Sequence, residues 1–167
     1  MIKIVDNFLP DFQFEKLKHD ILEPNFSWKR TDGVSGEDSR QDNVFYLVHQ
    51  FFTSDGFEKS KNAQIIDPLL ARLNMASLIR AKVNLYPKQE ALFEHGYHTD
   101  FDFFHKGFLF YLNTCNGYTK IQGEEPIETI ANRALFFDSY IPHTSTGCTD
   151  KPYRMTLNIN YFERVFP

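Results

Sequence analysis

The sequence has little of several features that define whole classes of protein. Its two cysteines, Cys115 and Cys148, are too few for a disulfide scaffold. No apolar run approaches the roughly 20 residues of a membrane-spanning helix. The charged first residues lack the apolar core of a signal peptide. We therefore expect a cytoplasmic protein with no membrane insertion.

Net positive charge is also missing. Eighteen Lys and Arg residues against 22 Asp and Glu residues give a net charge of −4, which disfavours a protein held to nucleic acid mainly by bulk charge. Hydrophobic residues make up 42% of the chain, so a folded core can form. The length of 167 residues predicts a single domain, 1–167. The unusual abundance is phenylalanine, with 18 residues.

The first half of the chain contains the predicted helices. A short strand over residues 2–5 precedes a helix that Asp11 would cap and Pro24 would end. A second helix is predicted over about 67–77. Between them, residues 29–43 are mostly polar or glycine and predict a long surface loop. That loop, with the residues near Trp28, is either a substrate lid or a disordered insertion.

From Ile79 onward, apolar runs of five to ten residues are separated by turn signals. Short strands at such spacing predict an antiparallel barrel or two-sheet roll. The whole pattern predicts an α+β fold with a small jelly-roll core supported by N-terminal helices.

One pair of residues in this half suggests a metal site. His98 and Asp100 lie in a predicted strand over residues 97–101, where alternate side chains share a face. His143 follows Asp100 by 43 residues, just after another predicted strand. Two histidines and one carboxylate on one face of a metal are the arrangement of non-haem Fe(II) oxygenases. The alternative for the His-x-Asp is a solvated loop pair.

The last predicted strand adds a second signal, because its polar and apolar residues alternate strictly. One face carries Arg154, Thr156, Asn158 and Asn160. The earlier strand places Lys82, Asn84 and Tyr86 on one face in the same way. A solvent-facing amphipathic strand would explain the alternation. The other explanation is that both polar faces line the inside of a roll, where an arginine suits a bidentate carboxylate partner.

Residues 79–162 resemble the Fe(II)/2-oxoglutarate oxygenase superfamily, and especially its prolyl-hydroxylase-like branch with small phage and bacterial members. The matching pieces occur in the family's order: Asn84-Leu85-Tyr86-Pro87, His98-Thr99-Asp100, Tyr111-Leu112-Asn113, Asn116-Gly117-Tyr118-Thr119, Asn132 to Phe137, His143 and Arg154. The sequence departs from the family at Asn116-Gly117, where the family often has a pair of glycines.

The resemblance implies a role for each matching residue. His98, Asp100 and His143 would be the ligands of Fe(II). Arg154 would pair with the distal carboxylate of 2-oxoglutarate. The rest of the implied co-substrate pocket consists of Tyr111, Tyr86, Asn158, Thr156 and Asn84.

The implied fold is a double-stranded β-helix, and the implied activity is that of a hydroxylase. It would use O2, with ascorbate as an accessory reductant, and release succinate and CO2. Peptidyl proline or an amino-acid-like molecule is the expected substrate. Two alternatives stay open: a non-enzymatic jelly-roll protein that binds a metal or a sugar, and a nucleic-acid demethylase of the same superfamily.

Two further expectations concern residues around the His-x-Asp. His95 and His105 have the opposite strand parity and are predicted to be rim or surface residues. Seven phenylalanines lie between residues 101 and 137. Most of them are expected to fill the core, and some to wall the metal site off from water.

Overall fold

The computed structural model describes residues 2–33, 45–53 and 59–165. Two helices lie in these ranges, α1 (Asp11–Leu22) and α2 (Asp67–Leu70), with a 3-10 turn at Ala63–Ile66 before α2. The strands there are β1 (Lys3–Val5), β2 (Lys29–Asp32), β3 (Phe45–Phe52), β4 (Met75–Pro87), β5 (Lys106–Tyr111), β6 (Tyr118–Ile121), β7 (Ile127–Glu128), β8 (Ala134–Asp138), β9 (His143–Ser145) and β10 (Tyr153–Glu163).

The strands form two antiparallel sheets. The larger sheet has the order β1-β8-β5-β10-β4-β3-β2, and the smaller has the order β7-β6-β9. The strand with the strict alternation, β10, lies near the middle of the larger sheet between β4 and β5. The predicted antiparallel sheets are therefore confirmed, although the regular structure of the described residues is mostly β strand with two short helices rather than a balanced α+β mixture. None of the described helices is long and apolar enough to cross a membrane.

One face of the larger sheet forms the main hydrophobic core. Leu157 of β10 and Phe108 and Phe110 of β5 are fully buried in it. Helix α1 covers this face with an apolar stripe, and the ring of Phe14 packs edge-on against that of Phe110 at 5.9 Å. The apolar stripe of α1 and the apolar face of the strands thus pack against each other in a single core.

The opposite face of β10 is polar and is nevertheless buried. Arg154 and Thr156 are only 1% and 2% exposed. The solvent-facing explanation of the alternation is therefore wrong, because the smaller sheet covers this face. Buried polar groups need hydrogen-bonding partners, so this face is where a ligand site is expected.

Both helix predictions need correction. Helix α2 ends at Leu70 rather than near residue 77, because Met75 already begins β4 and pairs with Glu163 of β10. Long-range strand pairing outweighs local helical propensity there. Asp11 is the first helical residue rather than the cap. The preceding Pro10 carbonyl accepts the N–H groups of Gln13 and Phe14 instead.

The predicted loop at 29–43 is not all loop. Its first four residues form β2 and pair with β3 in register, and residues 34–43 lie outside the described part of the chain. Trp28, which was grouped with the lid, packs against Phe26 at 5.1 Å at the margin of the main core. The lid itself stays a prediction.

Asn132 ties the start of the chain to the turn before β8. Its side-chain oxygen accepts the N–H of Leu9 at 2.9 Å, and its amide donates to the Leu9 carbonyl at 2.8 Å. The residue has a φ of 61°, in the left-handed region that asparagine tolerates better than alanine. Position 132 therefore requires both this side chain and this backbone conformation.

We predict that Asn132→Ala lowers the free energy of unfolding by about 2–4 kcal/mol, because two buried groups lose their partners and the backbone is strained. Asn132→Gly removes the same hydrogen bonds without the strain and should lose about 1 kcal/mol less. Urea denaturation of both variants, with the exposed Glu125→Ala as control, measures the difference. An alanine variant as stable as the glycine variant would contradict this account.

Candidate metal centre

Three side chains that are distant in sequence converge between the two sheets. His98, Asp100 and His143 each place a ligand atom within 4.8 Å of the others. A two-residue antiparallel bridge holds the histidines together: the N–H of His98 donates to the His143 carbonyl at 3.0 Å, and the reverse bond is 2.9 Å. The predicted strand over 97–101 is wrong, because only this isolated bridge forms there.

Backbone carbonyls orient both imidazoles. The Nδ1 of His143 lies 3.1 Å from the Ile141 carbonyl, and that of His98 lies 3.3 Å from the Gly96 carbonyl. A ring that donates from Nδ1 has its lone pair on Nε2, the usual tautomer of a metal-binding histidine. Burial lowers the pKa of His143, and Asp100 offsets part of that effect. The neutral, metal-binding form is therefore favoured.

Asp100 is held by groups from two strands and a turn. Its Oδ1 accepts a hydrogen bond from Arg80 of β4. Its Oδ2 accepts one from the Ser139 hydroxyl and one from the Asn160 amide, each at 2.9 Å. Burial would raise the pKa of Asp100, but the charge of Arg80, with further contributions from His143, Lys82 and the Asn160 hydrogen bond, outweighs burial and holds that pKa well below its usual range.

These supporting residues were not predicted as parts of the site. Asn160 continues the polar face of Arg154 and Asn158, and Arg80 lies opposite Asn160 in the pairing of β4 with β10. Strand parity thus places Asn160 on the polar face from the sequence alone, and the strand pairing could also have pointed to Arg80. Ser139 carries no such signal, because it follows the end of β8 and its place depends on the turn.

Arg154 lies deep in the same cavity. Its Nε donates to the Thr129 hydroxyl at 2.8 Å, one Nη to the Thr119 hydroxyl at 2.8 Å and the other to the Thr146 carbonyl at 3.2 Å. A guanidinium has five N–H donors, so these bonds leave two. Among the described residues, no carboxylate pairs with Arg154. Its charge therefore faces the cavity without a counter-ion.

The backbone is packed tightly around this arginine. A Cβ on Gly117 would lie 2.2 Å from the Gly147 carbonyl and 2.7 Å from the Cδ of Arg154. Any side chain at position 117 would force the Gly147 backbone and the Arg154 side chain to move apart. The second glycine of the expected pair is thus required by close approach, and Asn116 is exposed and does not alter this contact.

The other predicted pocket residues lie between Arg154 and the histidines. The pairing of β4 with β10 places Tyr86 opposite Arg154 and Asn84 opposite Thr156. The cavity is lined by predicted residues from both strands, namely Asn84, Tyr86, Arg154, Thr156 and Asn158. Tyr111 is also buried, with its ring centroid 5.6 Å from the guanidinium carbon of Arg154. All nine predicted site residues therefore come together.

Several polar atoms in this region have no protein partner. They are the side-chain oxygens of Asn84 and Asn158 and the hydroxyl of Tyr111. Burial raises the pKa of Tyr111, although Arg154 offsets part of that increase. Its hydroxyl thus stays protonated and available as a donor. Unpaired buried polar groups are costly. An anion in the cavity would accept a hydrogen bond from the Tyr111 hydroxyl, whereas the two amide oxygens need a donor.

His95 and His105 are not the rim or surface residues that strand parity predicted. Both are buried, and His95 stacks on the ring of Tyr86 at 5.9 Å. Burial, with a further contribution from Arg154, lowers the pKa of His95 to about 4. His105 is enclosed by Phe101 and Phe103. Parity failed because this segment is not a strand.

Of the seven phenylalanines between residues 101 and 137, few lie where they could wall the metal site off from water. Phe108, Phe110 and Phe136 belong to the core on the far side of the sheet. Phe137 lies in the cavity, with its ring 5.0 Å from that of His143. Phe104 is 63% exposed. Of the seven, Phe137 is therefore the cavity-lining residue, and the core-filling explanation accounts for most of the buried rings.

Structural comparison identifies proteins with the same fold, whereas no family model and no curated protein matches the chain. A Trichoplax adhaerens prolyl hydroxylase, solved with a hypoxia inducible factor peptide, matches with a TM-score of 0.65 and 17% identity over 97% of this chain and 83% of that one. A Pseudomonas putida prolyl-4-hydroxylase matches with a TM-score of 0.60 and 16% identity, over 98% of this chain and 92% of that one. HygX from Streptomyces hygroscopicus was solved with nickel and 2-oxoglutarate. It matches with a TM-score of 0.60 and 12% identity, over 99% of this chain and 84% of that one. At these identities, the likeness is one of fold.

Proposed function

We propose that this protein is an iron- and 2-oxoglutarate-dependent dioxygenase that hydroxylates an unactivated C–H bond. In this proposal residues 1–167 form one catalytic domain, and the two sheets form a double-stranded β-helix. Fold likeness to 2-oxoglutarate-Fe(II) oxygenases, including a Burkholderia pseudomallei protein so described, supports the assignment. The residues within the cavity support it independently.

The observation that carries the proposal is the uncompensated charge of Arg154. A buried guanidinium without a protein carboxylate is destabilising unless a ligand supplies the anion. Hydroxyl and carbonyl oxygens hold three of its N–H groups. A diacid such as 2-oxoglutarate would pair one carboxylate with the remaining two. A non-enzymatic roll would need a carboxylate of its own at this point.

The donor set fits the metal as well as the co-substrate. His98, Asp100 and His143 would hold Fe(II) through two imidazole nitrogens and a carboxylate oxygen, a donor set suited to this ion. Bound together, iron and 2-oxoglutarate would convert O2, the co-substrate and a substrate C–H bond into succinate, CO2 and an alcohol. The chain's contribution is to position these groups and to limit the access of water.

Each remaining residue has a role in that arrangement. Arg154 would bind the distal carboxylate, and the Tyr111 hydroxyl would donate to it. Asn84 and Asn158 would offer their amide groups to the proximal half of the co-substrate. Tyr86 and Thr156 would form the wall between the two ends. A peptidyl proline or an amino-acid-like molecule stays the expected class of substrate, in keeping with the prolyl hydroxylases of the same fold.

We predict that the wild-type protein, given Fe(II), ascorbate and 2-oxoglutarate, forms succinate slowly without a primary substrate. His98→Ala and His143→Ala should abolish this turnover and weaken metal binding by more than about 100-fold, since each removes a ligand atom. His19→Ala, on the exposed face of α1, is the matched control. No succinate from the wild type, with unchanged iron binding in His98→Ala, would refute the proposal.

We predict that Arg80→Met weakens metal binding by about 10–100-fold, because the ligating carboxylate loses the group that orients it. Calorimetric titration of the apoprotein with Ni(II) measures the affinity. Arg72→Met, an exposed arginine, should leave the affinity unchanged. Equal affinities for the Arg80 variant and the wild type would show that Arg80 has no part in the metal centre.

We predict that Arg154→Lys weakens 2-oxoglutarate binding at least about tenfold, since an ammonium cannot reproduce the bidentate geometry of a guanidinium. Arg154→Met should abolish that binding. The absorbance of the anaerobic iron complex reports co-substrate affinity, and circular dichroism checks that each variant is folded. Arg30→Lys, exposed on β2, serves as control. A folded Arg154→Met variant that still binds 2-oxoglutarate tightly would contradict the assigned role.

A further inference from the structure

Lys82 is a charged residue of the cavity that the proposed chemistry does not use. It lies on β4, opposite Asn158 of β10, and its side chain lines the same space as His98 and Asp100. Within the described residues its side chain has no hydrogen bond or ion pair. Burial lowers its pKa to about 8, with Arg80 adding to the decrease and Asp100 opposing it. The side chain is therefore mostly cationic at neutral pH.

The position of Lys82 separates it from the co-substrate anchor. Tyr86, four residues further along β4, pairs with Arg154. At about 3.3 Å per residue, the two positions are about 13 Å apart along the strand. Asp100 contacts Asn158 and Asn160, which pair with Lys82 and Arg80 respectively. Lys82 thus lies at the level of the metal ligands rather than at the level of Arg154.

The charges around the cavity do not balance even with its expected contents. A divalent metal ion and a 2-oxoglutarate dianion would cancel each other. Of the described side chains, Arg80, Lys82 and Arg154 are cations, and Asp100 is the anion that Arg80 already pairs with. The assembled site would keep two unbalanced positive charges. Excess buried charge is costly, and an anion arriving at the open face of the metal would reduce that cost.

We propose that Lys82 binds a carboxylate of the primary substrate, so that the enzyme selects an acidic molecule or an acidic amino-acid side chain. The inference rests on the proposed function and narrows the amino-acid-like class suggested there. The alkyl stem of Lys82 would follow the sheet, while its ammonium would hold the carboxylate beside the metal and fix which C–H bond lies nearest to it. Lys82 is then a specificity-determining residue.

The test uses the folded protein loaded with Co(II) and saturating 2-oxoglutarate, which needs no knowledge of the natural substrate. Isotopically labelled propanoate is the probe, and paramagnetic relaxation of its carboxyl signal reports binding beside the metal. We expect saturable binding by the wild type. Lys82→Met should weaken it at least about tenfold, as expected for the loss of a charge-assisted contact. Lys82→Arg should retain most of it, and the exposed Lys61→Met should not change it.

The outcomes separate this inference from the proposed function. No propanoate binding by the wild type, or equal binding by Lys82→Met, would overturn the role of Lys82. A loss of 2-oxoglutarate affinity in Lys82→Met as large as the loss for propanoate would also overturn it, since Lys82 would then belong to the co-substrate site. Succinate formation by the wild type, measured in parallel, tests the proposed function by itself.

Discussion

The constraint on which the site depends is the burial of the Arg154 charge. A guanidinium that is 1% exposed must be surrounded by oxygen atoms. The fold supplies these oxygens from β6, from the segment that connects β9 to β10 and from the turn before β8. Thr119, Thr129 and the Thr146 carbonyl each take one N–H. The smaller sheet is thereby tied to the larger one by a polar contact at the base of the cavity. Anion binding there would supply acceptors for the two N–H donors that the protein leaves unpaired.

The same contact explains how far the sequence could predict the site. Strict alternation in β10 indicates which residues share a face, and the pairing of β4 with β10 brings a second polar row beside it. Those rules concern only neighbouring strands, and they identified Asn84, Tyr86 and Arg154. The segment that carries His98 and Asp100 does not follow these rules. That segment has no regular structure, so the strand parity that pairs the two residues in the sequence does not hold, and their assignment as ligands depends on the resemblance.

What could not be predicted depends on contacts between distant segments. Arg80 is one residue of a long strand. Its place beside the predicted ligands becomes clear only because the fold brings Asp100, 20 residues later in the chain, within hydrogen-bonding distance of it. The second helix failed for the same reason, because Met75 pairs with a strand at the other end of the chain. His95 is buried because Tyr86 and Phe93 cover it. Local periodicity carries no information about any of these partners.

The abundance of phenylalanine follows from the polar character of the cavity face. A sheet that buries Arg154, Thr156 and Asn160 on one side gains little hydrophobic stabilisation there. The other side must therefore supply most of it, and each fully buried phenylalanine contributes about 1.5–3 kcal/mol. Phe108 and Phe110 of β5 lie directly behind the cavity-facing residues of the same strand. The aromatic residues thus stabilise, from behind the sheet, a fold whose interior contains several charged and polar groups.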